Sequence, residues 1–123
     1  QPKLSVYEMQ KLNGQQKIFR ATCQSFGLPE PEPEYKFHPK RKWRTDYFFF
    51  NPINGIRVAL EVEGGVFQYG RHNRASGFIG DMEKYNALAE MGILLVRVLP
   101  QQLVTKKTFD TLRKALQMNL NPN

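Results

Sequence analysis

Apolar and polar positions alternate in blocks along the chain, and each block predicts an element. Leu4, Val6, Met9 and Leu12 fall at helical spacing, with Ser5 placed to start a short helix over 4–12. Asn13-Gly14 breaks it. A second helix is predicted over 15–26, with Ile18/Phe19, Thr22/Cys23 and Phe26 as its stripe and Gly27 as its stop. L-P-E-P-E-P-E (28–34) is read as an extended surface connector, because alternating prolines exclude helix and central strand. Segments 43–50 and 56–64 are rich in aromatic and β-branched residues and read as a hairpin around N-P-I-N-G (51–55). Residues 64–80, glycine-rich and basic, are read as a loop. A helix over 81–91 follows, with Met82, Tyr85 and Leu88/Ala89 expected inside. I-L-L-V-R-V-L (93–99) reads as a buried strand, and a last helix covers 105–120 with Phe109, Leu112, Leu116 and Leu120 in register.

Hairpin, helix and strand in that order predict a β-α-β crossover and a parallel pair. The fold class is therefore α/β: a mixed central β-sheet flanked by helices in one domain of 123 residues. Its expected parts are N-terminal helices (1–27), a proline-rich and basic connector (28–42), a core (43–99) and a C-terminal helix (104–120).

One strand departs from the pattern of a core strand. R-V-A-L-E-V-E-G-G (57–65) carries Glu61 and Glu63 in alternate places, so both side chains leave the same side. A hairpin closed by Asn54-Gly55 alone sets Asp46 opposite Glu63. A four-residue loop, 52–55, sets Asp46 opposite Glu61. Either register brings three carboxylates to one face. Directly opposed side chains have Cβ atoms ~5 Å apart, and like charges there repel by about 3 kcal/mol at an effective dielectric of ~20. Arg44 and Arg57 share that face and could offset the repulsion, as could a proton or a divalent cation. All-oxygen ligands favour Mg²⁺ or Mn²⁺ over Zn²⁺. An ordinary half-exposed edge strand is the alternative reading.

Charge adds a partner. Eighteen Lys+Arg against eleven Asp+Glu give +7, which favours a polyanion, most often nucleic acid. K-R-K-W-R (40–44) and G-R-H-N-R (70–74) flank the acidic strand. Trp43 reads as a core anchor, with stacking on a base as the alternative. A single cysteine, Cys23, excludes an internal disulfide and a multi-cysteine metal site. It suits a reducing, cytoplasmic setting, and its place on the helical stripe suits core packing. No apolar run reaches the ~18 residues of a membrane span. No signal peptide is recognisable, and a start at Gln1 suggests a processed or trimmed chain.

T-D-Y-F-F-F (45–50), a turn, A-L-E-V-E-G-G (59–65), then a helix and an apolar strand resemble the PD-(D/E)XK nuclease superfamily. The longer run R-T-D-x₁₄-E-V-E-G-G-V-F-x₂-G-R-H-x-R-x₂-G-F-x₂-D-x₂-K-Y-N resembles small phage and prophage nucleases, near very-short-patch-repair endonucleases and Holliday-junction resolvases. The resemblance covers residues 43–99. It implies a restriction-endonuclease-like core and a Mg²⁺-dependent DNA endonuclease, with Mn²⁺ as a substitute. Asp46 and Glu61 would be metal ligands, together with the Val62 carbonyl. Glu63 stands where most members have lysine; a glutamate there would act as base or ligand, and acceptance of a proton from the water is the role expected. Lys84 is the candidate replacement cation. Arg44, Arg71, His72 and Arg74 would clamp phosphates on DNA. A resolvase-type activity would call for a two-fold homodimer. A nucleic-acid-binding protein that kept the fold without the chemistry is the competing class.

Overall fold

The computed structural model describes residues 4–64 and 74–119. The elements run α1 (Val6–Gln10), α2 (Gly14–Ser25), β1 (Glu32–Lys36), β2 (Arg44–Phe50), β3 (Arg57–Val62), α3 (Arg74–Glu90), β4 (Ile93–Val98), a 3₁₀ turn (Pro100–Gln102) and α4 (Lys106–Ala115). The four strands form one mixed sheet in the order β1-β2-β3-β4. β1, β2 and β3 are antiparallel neighbours, and β3 and β4 are parallel across the α3 crossover. The expected α/β fold with helices flanking a mixed sheet is therefore present. None of the described helices is long and apolar enough to cross a membrane.

Both faces of the sheet are covered, which follows from alternation along β2 and β3. Tyr47, Phe49, Val58 and Leu60 point to one side, where Phe19 and Cys23 of α2 and Phe109 and Leu112 of α4 meet them. Phe48 and Ala59 point to the other side, against Leu88 of α3 and Ile93 of β4. Cys23 is fully buried in the first cluster, and burial pushes its thiol pKa far up, so it acts as packing.

Several expectations are corrected. The connector 28–42 contains β1, an edge strand. Pro33 is tolerated there because an edge strand needs a ladder bond on one side only. α3 starts at Arg74, inside the segment read as a loop. Its inner face is also rotated: Ala87 and Leu88 are buried, while Met82 and Ala89 are exposed. β4 is an edge strand with Leu94 exposed, where full burial was expected. α4 ends at Ala115, with Gln117 in the left-handed region (φ 55°) just beyond it. Leu120 lies outside the described residues.

The β2–β3 register takes the four-residue loop. The Asn51 amide donates to the Ile56 carbonyl (2.9 Å), and Gly55, at φ 78°, donates to Asn51 (2.7 Å). The side chains of Asn51 and Asn54 then donate to the Leu116 carbonyl at 2.8 and 3.1 Å, which ties the turn to the end of α4.

Candidate functional site

Pairs Tyr47–Leu60 and Phe48–Ala59 carry the register one step further, so Asp46 stands opposite Glu61. On the other side Glu61 pairs with Arg97 of β4. Asp46, Glu61 and Arg97 thus form a row across three strands, on the sheet face that α3 covers. α3 brings Asp81, Lys84 and Tyr85 over this row, at spacings i, i+3 and i+4 that share one helix face.

The acids are held individually. Asp46 Oδ2 accepts the Val62 amide at 2.6 Å, beyond the Tyr47–Leu60 pair. A strand residue presents its N–H and C=O to the same neighbour, so the Val62 carbonyl also faces β2. Lys84 Nζ donates to Glu61 Oε1 at 3.0 Å, with both side chains mostly buried. Glu61 Oε2 is buried and has no hydrogen-bond partner among the described residues. Tyr85 Oη and Arg97 Nε both donate to Glu63 Oε2, at 2.9 and 3.0 Å, and the Arg97 guanidinium also lies 4.8 Å from the Tyr85 ring centre.

Electrostatics follow from this geometry. Burial pushes the Glu61 pKa up to about 7. Lys84 pulls it down, and the charges of Asp46 and Glu63 push it further up. Asp81 is also raised, first by burial and then by Glu63. The Tyr85 hydroxyl is raised by burial and by its bond to Glu63.

Asp46, Glu61, Glu63 and Lys84 are thus gathered on one face, with the Val62 backbone beside Asp46. Arg44 is exposed two residues before Asp46 on β2 and pairs in register with Lys36. Arg57 does not balance the acids. It sits at the far end of β3, where its guanidinium donates to the Met91 carbonyl at the end of α3. Arg71 and His72 lie outside the described residues, as does the side chain of Arg74, whose backbone opens α3. From sequence Tyr85 reads as a core residue, and none of Asp81, Tyr85 and Arg97 is given a part in the site. The D-x-x-K-Y spacing was the available signal for the first two. Arg97 needs the β3–β4 register, which no local pattern encodes.

Among the described residues no three His, Cys, Asp or Glu side chains stand as a closed metal cage. Asp46, Glu61 and Glu63 each already have a donor: the Val62 amide, Lys84, and the Tyr85–Arg97 pair. What does fit a hard cation is the oxygen-only donor set and the unpartnered, buried Glu61 Oε2 beside Asp46. A fifth acid position falls between the pairs Pro33–Tyr47 and Tyr35–Thr45: Glu34 on β1, opposite Asp46. Glu34 has φ 51°, and Tyr35 stacks on Phe48 at 4.1 Å on the α3 side. The kink breaks the alternation of β1 and turns Glu34 toward a cleft with Glu8, Lys11 and Gln16.

No known protein family, curated protein or solved structure matches the chain.

Proposed function

We propose that this chain is a divalent-metal-dependent DNA endonuclease with a restriction-endonuclease-like core, working in the cytoplasm. The observation that carries the reading is Asp46 opposite Glu61 on neighbouring strands, with a buried Glu61 oxygen that has no donor among the described residues. Asp46, Glu61 and the Val62 carbonyl are the residues that would hold Mg²⁺ or Mn²⁺. Such an ion would relieve charge at the scissile phosphate and supply a nucleophile near neutral pH.

The chain's own groups have distinct tasks in this reading. The Val62 amide fixes the Asp46 carboxylate. Lys84 orients Glu61 and places a positive charge beside the reacting phosphate. Glu63 accepts a proton from the attacking water. Tyr85 and Arg97 position Glu63 for that role. Arg44, with Arg71, His72 and Arg74, would bind flanking phosphates, in keeping with the +7 charge.

The test is cleavage of duplex, single-stranded, flap, nicked, mismatched and four-way DNA in Mg²⁺ or Mn²⁺. Asp46→Ala and Glu61→Ala should bind DNA but not cut it. Absence of divalent-dependent cutting on every substrate would leave a nucleic-acid-binding protein without the chemistry. Selective cutting of the four-way substrate by a dimer would mark a resolvase.

A further inference from the structure

Resting on that reading, we infer that the cleft between the 38–43 turn and α3 is a pocket for an unstacked nucleobase of the substrate strand. Segment 36–44, K-F-H-P-K-R-K-W-R, holds five Lys/Arg and no acid, and all five are exposed. It leads directly into β2, so Trp43 lies three residues before Asp46, about 10 Å along an extended chain. The segment is therefore within reach of a strand whose phosphate lies at Asp46.

The cleft has a volume of about 430 Å³ and is lined by His38, Lys40, Arg41, Trp43, Glu83 and Asn86 among others. Trp43 is half-buried, and its ring is fixed from within by Phe37 (6.2 Å, near-parallel) and His38 (5.2 Å, edge-on). His38 is itself fixed, because its Nδ1 accepts the amides of Lys40 (3.1 Å) and Arg41 (2.9 Å). The indole is thus a rigid platform.

Over it lies the Arg41 guanidinium, 3.9 Å from a ring centre. A planar, exposed group already occupies the position a base would take. Arg41 is held otherwise by an ion pair to Glu83 at 3.5 Å, with both side chains about half exposed. Such a pair contributes little and yields readily. A base can replace the guanidinium on Trp43 or stack on its outer side, while Arg41 turns to a phosphate. Glu83 and Asn86 line the opposite wall from α3. Asn86 is exposed and has no side-chain hydrogen bond among the described residues. The Asn86 amide offers a donor and an acceptor and the Glu83 carboxylate an acceptor, groups suited to the edge of a base.

Trp43 is the only tryptophan, so intrinsic fluorescence reports on this platform alone. The experiment titrates the full chain, in EDTA, with fluorescently labelled ten-nucleotide single strands of DNA and RNA, and with an abasic strand of equal length and charge. Anisotropy follows binding and tryptophan emission follows stacking. Base-bearing strands should quench the emission, and the abasic strand should bind without quenching. Trp43→Ala should weaken base-bearing strands by about 5- to 150-fold, with Trp43→Phe restoring most of that, and neither should change abasic binding. Asn86→Ala, on an exposed helix position, guards against misfolding and should weaken purine strands selectively. Equal quenching by the abasic strand, bound strands that leave emission unchanged, or no binding would each overturn the pocket. Divalent-dependent cutting that persists beside such a result would leave the nuclease reading standing. Quenching by base-bearing strands in a chain that never cuts would do the reverse.

Discussion

Lys84 Nζ and Glu61 Oε1 lie 3.0 Å apart under α3, while the second oxygen of the same carboxylate is buried with no donor among the described residues. Half of Glu61 is committed to the fold and half is left unsatisfied. Above the Glu61 pKa, removing Lys84 leaves a mostly buried charge uncompensated and costs about 3–5 kcal/mol, whereas below it the carboxyl keeps its proton and the cost is small. We expect Lys84→Met to lower the unfolding free energy by that order at about pH 9 and by much less at about pH 6, measured by urea denaturation. Glu61→Gln/Lys84→Met should recover a large part of it. Additive losses in the double variant would show that the pair is not coupled.

Glu61 also sets a pH dependence. Its pKa in the fold is about 7, against an ordinary value of 4.5, and the first cause is burial. Between those values the folded state holds more protons than the unfolded state. Stability contributed by this group is therefore fully present below about 4.5 and falls as pH rises through 7. The bound on the effect is about 3 kcal/mol. Glu61→Gln should flatten the stability curve between pH 4.5 and 7 and leave it unchanged elsewhere. An unaltered slope in that window would assign the titration to another group.

A cation at Asp46 and Glu61 would reverse that trend. It favours ionised Glu61 and supplies the missing partner for Oε2. At a hundred times its Kd a divalent ion stabilises by about 2.7 kcal/mol, a Tm rise on the order of 10 °C for a chain of this size. The rise should be larger at pH 8 than at pH 6, because Glu61 must first lose its proton. Asp46→Asn should abolish it. Glu63→Gln should keep it while cutting falls by about 10²–10⁴, which separates holding the ion from accepting the proton.

These relationships were legible in the sequence to different depths. Alternation alone put Asp46, Glu61 and Glu63 on one face, because a two-residue period survives any even loop. It left open whether Asp46 meets Glu61 or Glu63. The choice is made by Asn51 and Asn54, which reach 65 and 62 positions along the chain to the Leu116 carbonyl. No local rule contains that contact. Pro33 concealed β1, since proline argues against a strand unless the strand lies at an edge, and edges are a property of the whole sheet. The phase of α3 was misread because Met82 and Ala89 are apolar yet exposed, whereas the face that packs inward includes the charged Lys84. The helix side chosen by burial and the side chosen by chemistry coincide only once the acids beneath it are known.

The kink at Glu34 carries the last prediction. In an unbroken strand Glu34 would stand beside Asp46 and place a third carboxylate in the row Asp46–Glu61, at a repulsive cost of the same order as that pair. The chain instead holds Glu34 at φ 51°, a conformation costing a non-glycine residue about 1–2 kcal/mol. Two penalties are thus in competition, and the left-handed backbone is the smaller. Glutamate has no advantage at that φ over glycine, whose lack of Cβ removes the strain at the expense of a more flexible unfolded chain. Glu34→Gly should therefore stabilise the fold by about 0.5–1 kcal/mol and leave Tyr35 on Phe48. Glu34→Val should destabilise it, because a β-branched side chain is poorer still at positive φ and favours a regular strand that would carry Tyr35 to the opposite face. Urea midpoints of the two variants test the ordering. A destabilising Glu34→Gly would mean that the Glu34 carboxylate, and not its backbone, is what this bend is kept for.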